Sequence, residues 1–230
     1  DVIGPVMRGP SSSHSAAACR IGLLLRDLMK GDISYLNIDY DPNGSLVTTH
    51  ESQGTDMGLY GGLLGWKADD PRMIDYKKHI DDSGIKITVN YLSYGAKHPN
   101  NYRLRIGNES IAHTLSAIST GGGMMEVQEI DGSEVSINGD YHELLVYGNE
   151  LDIIDQMLPE FDFDLKLIHK SFIEIKCNIP FDEGLIQVIE QIPGVTDVCY
   201  LHPVVPILSR KNLEVPFLNC KDMLALGQAE

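Results

Sequence analysis

The chain has few cysteines and no close pair of them. Its four cysteines, Cys19, Cys177, Cys199 and Cys220, are widely separated in a sequence of 230 residues. Zinc sites and iron–sulfur clusters are usually encoded by short spacings such as C-x-x-C. We therefore expect this chain to bind no metal ion and no cluster. Its cysteines are expected to be mostly buried free thiols, as in a cytoplasmic protein.

Positive charge is also scarce, and long apolar runs are missing. The 18 Lys and Arg residues are outnumbered by 33 Asp and Glu residues, which gives a formal net charge of −15. This charge repels nucleic acids and anionic lipid surfaces, and no basic cluster offsets it. No stretch approaches the roughly eighteen apolar residues of a membrane helix, and the N-terminus lacks the pattern of a secretion signal. The sequence predicts a cytoplasmic protein with no nucleic-acid or membrane partner.

The composition is that of a folded protein, whereas both ends look like those of a fragment. Hydrophobic residues make up 43% of the chain and charged residues 22%, as in ordinary globular domains, and the length predicts one or two domains. The first residue is Asp1 rather than Met, and a helix-like segment at 221–226 has barely begun where the sequence stops. We expect a piece of a larger protein.

The predicted fold class is α/β, of the α+β kind, and residues 1–140 form its first domain. Residues 16–28 predict a long buried helix that begins at the serines of positions 11–13. A strand at 35–40, a turn at 41–44 and an antiparallel return strand at 45–50 are expected next. Helices at 55–64 and 71–83 and strands at 86–93, 102–106, 111–119, 124–130 and 134–138 complete the predicted domain.

Residues 141–203 show a compact alternation that predicts a second domain. The expected elements are strands at 143–147, 165–170, 172–178 and 195–201 and helices at 150–159 and 182–191. This β-α-β-β-α-β order is that of the ferredoxin-like fold, and the domain resembles the small regulatory modules called ACT domains. The proline-punctuated residues 204–230 predict a linker.

The segment 9–14, Gly-Pro-Ser-Ser-Ser-His, is the strongest candidate for a site. Its three hydroxyls stand at a helix N-terminus, where free backbone N–H groups favour a carboxylate or phosphate. His14 adds a group that exchanges a proton near neutral pH. The alternative is a helix cap alone, which needs one hydroxyl rather than three.

Three further segments are weaker candidates. Residues 53–56 form a polar loop-to-helix junction that capping alone would also explain. Residues 119–123 contain three glycines that suit either an anion or a sheet bulge, and residues 98–100 form a loop with a titratable histidine. The candidate binding residues are Ser11, Ser12, Ser13, Gln53, Gly54, Thr55, Asp56, His98, Asn100, Ser119, Gly121 and Gly122.

Taken in order, these four segments together with residues 4–7 resemble the β chain or β domain of bacterial iron–sulfur-dependent L-serine dehydratase. The resemblance covers residues 1 to about 140, and the ACT-like segment agrees with it. It implies a first domain of the allosteric-substrate-binding type that packs over a catalytic α portion. It also implies conversion of L-serine to pyruvate and ammonia, with a [4Fe-4S] cluster acting as Lewis acid on the leaving hydroxyl.

In this family the cluster is held by cysteines of the α chain or α domain, so the chain would be a part of the enzyme that does not act alone. The resemblance places Ser11 and His14 at the substrate cavity, with His14 as the candidate catalytic residue, and helix-end amides would receive the serine carboxylate. The implied partners are the α portion and L-serine, and a homodimer is expected. The linker favours a fused enzyme over a separate subunit.

Two departures from the family pattern leave alternatives open. Family members often carry G-H-G-T-D at positions 52–56, where this chain has Gln53, an amide that cannot serve as a base. The base is then His14 or a group on the α portion, or the assignment differs in this branch. Residues 148–150 depart from the ligand-binding turn of amino-acid-sensing ACT domains, so dimerisation or docking is as good an expectation as effector binding. A stand-alone serine-sensing or dimerisation module without catalysis is the alternative function.

Overall fold

The computed structural model describes residues 7–205, which form six helices, one 3-10 helix and ten strands in two sheets. The helices are α1 Ser12–Leu28, α2 Leu46–Thr49, α3 Thr55–Leu63, α4 Tyr76–Ser83, α5 Leu151–Met157 and α6 Glu183–Glu190, with the 3-10 helix at Pro71–Asp75. The strands are β1 Tyr35–Tyr40, β2 Lys86–Tyr91, β3 Asn101–Gly107, β4 Ala112–Gly121, β5 Met124–Ile130, β6 Ser133–Ile137, β7 His142–Gly148, β8 Leu165–Ile168, β9 Phe172–Cys177 and β10 Val195–Leu201. The mixed α/β class with both strands and helices is as predicted.

The first sheet has the strand order β2-β1-β3-β4-β5-β6. Only the β1–β2 pair is parallel, and the other neighbours are antiparallel. Helix α1 lies on one face of this sheet, and its apolar residues Ile21, Leu25 and Leu28 enter the same core as Leu115 and Val127 of the strands. The predicted long buried helix is therefore confirmed, and it begins at Ser12.

The return strand predicted at residues 45–50 is wrong, because this segment contains the short helix α2. Both edges of β1 are already occupied, by β2 on one side and β3 on the other, so no third strand can pair with it. Asp41 also accepts the backbone N–H of Asn43 at 2.9 Å, which turns the chain sharply after β1. The helix predicted at 71–83 is present in two parts, first 3-10 and then α-helical.

Helix α3 packs against α1 closely enough for the two backbones to touch. A Cβ atom on Gly58 would stand 2.0 Å from the carbonyl oxygen of Ser15, and one on Gly62 would stand 2.2 Å from that of Cys19. Gly22 of α1 faces α3 in the same way, since a Cβ on it would stand 2.3 Å from the carbonyl oxygen of Leu59. Glycine is therefore required along this contact, which fixes the start of α3 beside the start of α1.

The second sheet has the order β10-β7-β9-β8, with every neighbouring pair antiparallel. Its elements follow the predicted β-α-β-β-α-β order. One face packs with α5 and α6 around a core that includes Val146, Ile154 and Ile189. The opposite face contributes Phe172 and Cys199 to the core of the first sheet, so the two sheets share a packed interface.

The predicted linker lies almost wholly outside the described residues. Its first two residues are an exception, since the backbone N–H groups of Val204 and Val205 both donate to the carbonyl of Gly139, at 2.9 and 3.1 Å. None of the helices that the structure describes combines the length and the apolar character that a membrane crossing requires.

Candidate functional site

The N-terminus of α1 holds His14 between two hydroxyl groups. The Oγ of Ser11 lies 3.0 Å from Nδ1 of the imidazole, and Oγ1 of Thr49 lies 3.2 Å from Nε2. Ser11 occupies the position before the helix, but its hydroxyl makes no cap hydrogen bond. The alternative of a helix cap alone therefore does not describe Ser11, whose hydroxyl is directed at His14.

These contacts assign the proton on the His14 ring. Thr49 already donates its one hydroxyl proton to the carbonyl of Ser45 at 2.7 Å, so it accepts from Nε2–H of His14. Nδ1 is then unprotonated and accepts from the Ser11 hydroxyl. Partial burial lowers the pKa of His14 below its ordinary value, so the imidazole is neutral at neutral pH.

The other predicted segments meet at the same helix end. Asn100 accepts a hydrogen bond from the hydroxyl of Ser45, and its carbonyl accepts the backbone N–H of Ser119 at 3.1 Å. The hydroxyl of Ser119 donates to the carbonyl of Ser13 at 2.6 Å. With the Ser45–Thr49–His14 contacts, these bonds form a closed hydrogen-bonded circuit around the start of α1. His98 accepts the backbone N–H of Asn100 on Nδ1 at 3.1 Å.

The glycine segment forms the tight β4–β5 turn and lies against α1. Gly121, Gly122 and Gly123 all have positive φ angles, of 101°, 61° and 82°, which residues with a Cβ rarely adopt. The Cα of Gly123 faces α1 so closely that a Cβ would stand 3.2 Å from Cβ of Ala16. Arg20 of α1, although buried, donates to the carbonyl of Gly123 and holds the turn in place.

The junction at 53–56 also touches this helix end, and its Asp56 is bonded to a second imidazole, that of His50. Gly54 has a φ of 86°, and a Cβ there would lie 3.2 Å from Cδ of Pro10. The carboxylate of Asp56 is bonded to Nδ1 of His50 at 2.9 Å, and Nε2 of His50 lies 2.8 Å from the hydroxyl of Tyr91. Burial raises the pKa of Asp56, against the opposing effect of His50.

Sequence reasoning missed four residues of this region, namely Arg20, Ser45, Thr49 and His50. None lies in a distinctive motif, and each is identified by a contact across the fold. The chain positions of His50 and Asp56, six residues apart on either side of a turn, are the only local signal. Ser12, Thr55 and Gln53 lie at the same end of the two helices.

The described cysteines do not fit an iron–sulfur cluster. Cys19, Cys177 and Cys199 are all buried, and each lies in a different hydrophobic core. Burial raises the pKa of the Cys19 thiol to about 12. A cluster needs several thiolates around one point, and these three thiols cannot provide it. Cys220 lies outside the described residues.

Comparison with known proteins identifies the family. No family model matches the chain. It is 30% identical over 212 residues to a protein of Bacillus subtilis (strain 168) named "Probable L-serine dehydratase, beta chain", an alignment that covers 86% of this chain and 94% of that protein. It is also 30% identical over 149 residues to "L-serine dehydratase, beta chain" of Peptoniphilus asaccharolyticus, covering 64% of this chain and 66% of that protein. The resemblance found in the sequence is thereby confirmed, and the chain belongs to the family of L-serine dehydratase β chains.

Proposed function

We propose that this chain completes the active site of an iron–sulfur L-serine dehydratase, in which the α portion holds the cluster and this chain supplies His14. The complete enzyme would convert L-serine to pyruvate and ammonia. The cluster belongs to the α portion in this proposal, because the described thiols of the β chain do not fit it. The proposal rests on the family membership and on the hydrogen-bonded state of His14.

The state of His14 suits a group that accepts a proton. Its Nδ1 is unprotonated and its ring is neutral, because burial lowers its pKa and Thr49 accepts the proton of Nε2. A general base works best when its unprotonated form prevails at the working pH. His14 is also half-buried and so remains open to a partner surface.

His50 is the competing imidazole, and its contacts argue against the same role. Both imidazoles have a partner on each ring nitrogen, but His50 is bonded to the carboxylate of Asp56 as well as to Tyr91. Its side chain is only 8% exposed, whereas His14 is half-buried and bonded only to hydroxyl groups. We assign it a positioning role, since it ties the start of α3 to β2. This leaves His14 as the base despite the glutamine at position 53.

The first-turn amides of α1 are the proposed site for the serine carboxylate. A helix leaves its first N–H groups without partners inside the helix, and its dipole favours a negative group there. The half-buried Ser12 and Ser13 stand at this end, and the circuit through Ser119 and Asn100 fixes the surrounding backbone. Gly121 and Gly122 bring the β4–β5 turn to its rim.

The domain division is part of the same proposal. We assign residues 1–140 to the allosteric-substrate-binding type, residues 141–203 to an ACT-like domain and residues 204–230 to a linker toward the α portion. The order and antiparallel pairing of β7 to β10 support the second assignment. A homodimer and a cytoplasmic location stay predictions.

The test combines this chain with the anaerobically reconstituted α portion and measures pyruvate release from L-serine. The wild-type chain is compared with His14→Ala, and with His202→Ala as a control, since His202 contacts Asp27 near the other end of α1. We expect activity to need both parts, to fall by a factor of about 10²–10⁴ in His14→Ala, and to be kept in the control. If the α portion is equally active alone, the proposal fails and a serine-sensing accessory role replaces it.

A further inference from the structure

A group of metal-binding side chains lies where the two sheets meet, far from His14. A ring nitrogen of His113, a carboxylate oxygen of Asp197 and the Sγ of Cys199 all lie within 4.8 Å of one another. His113 belongs to β4 of the first sheet, and the other two belong to β10 of the second. His113 precedes Asp197 by 84 positions and Asp197 precedes Cys199 by 2, so no short sequence motif marks the three as metal ligands.

The orientation of His113 is that of a metal ligand. Its Nδ1 lies 2.7 Å from Oδ2 of Asp131, and the hydroxyl of Tyr147 donates to the same carboxylate oxygen at 2.8 Å. The backbone N–H of Thr114 donates to the other carboxylate oxygen at 2.8 Å, so Asp131 acts as an acceptor on both oxygens and Nδ1 of His113 carries the proton that it donates. Metal-bound histidines commonly have such a carboxylate on the second ring nitrogen.

The other ring nitrogen of His113 has no partner among the described residues. Nε2 is buried and makes no hydrogen bond there, while the whole side chain is only 7% exposed. A buried nitrogen lone pair without a donor is costly. A cation between His113 and β10 would satisfy it.

Cys199 and Asp197 supply the other two ligand atoms, beside the C-terminal end of α1. The Cys199 thiol is fully buried and lies 3.4 Å from the carbonyl oxygen of Leu28, the last residue of α1. Its Sγ lies 3.5 Å from Oδ2 of Asp197, whose other oxygen is paired with Lys30 at 2.5 Å. The C-terminal end of a helix carries partial negative charge and favours a cation.

We propose that His113, Asp197 and Cys199 bind one divalent cation of the zinc type, which joins the two sheets at the C-terminal end of α1. Imidazole, thiolate and carboxylate are the ligands that zinc takes in proteins. Binding transfers the thiol proton of Cys199 to solvent and leaves a thiolate on the metal, so affinity rises with pH. The ammonium group of Lys30 stays on the outer oxygen of Asp197. This proposal departs from the expectation, drawn from cysteine spacing alone, that the chain holds no metal.

The full 230-residue chain, free of the α portion and treated with a chelator, is titrated with Co²⁺ as a spectroscopic substitute for Zn²⁺. We expect one cobalt ion per chain, a thiolate-to-cobalt charge-transfer absorption, displacement by Zn²⁺, and a higher thermal midpoint with either ion. Cys199→Ser should lose the charge-transfer absorption. Cys177→Ser, which changes a buried thiol in the same sheet, should keep it.

Asp131→Asn provides a variant that touches no ligand atom. It leaves an amide on Nδ1 of His113, and we expect the affinity for cobalt to fall by about 10–100-fold while the absorption keeps its shape. Two results would overturn the proposal. One is a folded wild-type chain that binds no stoichiometric cobalt, and the other is a charge-transfer absorption that Cys199→Ser leaves unchanged.

Discussion

Replacement of Gly58 by alanine tests whether the contact between α1 and α3 positions the site. The new Cβ would stand 2.0 Å from the carbonyl oxygen and 2.8 Å from the carbonyl carbon of Ser15, and 3.0 Å from the backbone nitrogen of Cys19. All three are backbone atoms of a helix, so no side chain can move aside. The two helices would have to separate by about 1.4 Å to bring this contact from 2.0 Å to the 3.4 Å at which ordinary van der Waals contact begins.

The expected loss of stability follows from two opposing effects. Overpacking of this kind costs about 1–3 kcal/mol, and the rigid backbone places Gly58→Ala at the upper end. Alanine also favours the helix over glycine by about 1 kcal/mol. We therefore expect the free energy of unfolding to fall by about 1–2 kcal/mol, as measured by urea denaturation.

The same displacement should lower activity, because α1 carries His14 and the start of α3 lies beside it. A misplacement of about 1 Å can cost roughly 10²-fold in rate. Gly61→Ala is the matched control on the same helix. The three atoms nearest to its Cβ belong to side chains rather than to backbone: Cε and Sδ of Met73, at 2.6 and 3.3 Å, and a ring carbon of Trp66 at 3.5 Å. The control gains the same helix preference and should unfold no more easily than the wild type. If the two variants show equal stability and equal activity with the α portion, the reasoning about the helix contact is refuted.

Three further predictions concern charge and capping. Glu143 is buried with Glu174 and the single lysine Lys176, and burial raises the pKa of Glu143. The stability of the wild-type chain should therefore decline as pH rises above about 4.5, and Glu143→Gln should flatten this decline in urea titrations at several pH values. Asp41 accepts hydrogen bonds from three backbone N–H groups, which lower its pKa to about 2. The stabilisation by the ionised Asp41 is present above about pH 4 and lost toward pH 2, and Asp41→Asn should remove that part of the acid dependence in circular-dichroism titrations. Asp182 caps α6 by accepting from the N–H groups of the second and third helix positions, so Asp182→Ala should cost about 1 kcal/mol in urea denaturation, and an unchanged midpoint would contradict the cap.

Most elements were predictable because local pattern and tertiary environment agree. Strands such as β3 and β4 alternate buried and exposed residues. The strands of the second sheet lie where they were predicted, although β9 is buried over its whole length. The strand predicted at 45–50 is wrong because β2 already occupies an edge of β1 with which that strand would have paired. β2 lies about fifty residues further along the chain, and short-range patterns contain no information about which distant strand takes an edge.

The four site segments were predictable as a group, whereas the contacts between them were not. The serine run and the glycine turn stand out as residue types with few other uses. The protonation state of His14, however, depends on Thr49 of the unexpected helix α2. The hydroxyl of Thr49 is directed by the carbonyl of Ser45, the residue just before that helix. An error in one element therefore hid the residue that sets the chemistry of another.

Helix α1 links the proposed active site to the second sheet without a break. Its N-terminal end holds His14, and the chain at its C-terminal end is bonded to β10 and the residue after it, through Leu28–Cys199, Lys30–Asp197 and Asp27–His202. The helix runs uninterrupted over 17 residues, or roughly 25 Å, and it packs against the backbone of α3 at Gly58 and Gly62. A shift of the second sheet must therefore move α1 as a rigid body or be absorbed at these end contacts. A ligand shifts an equilibrium between two states only by its difference in affinity for them. An effector bound to the second sheet would therefore act on His14 through this helix by binding more tightly when α1 is in one of two positions than when it is in the other.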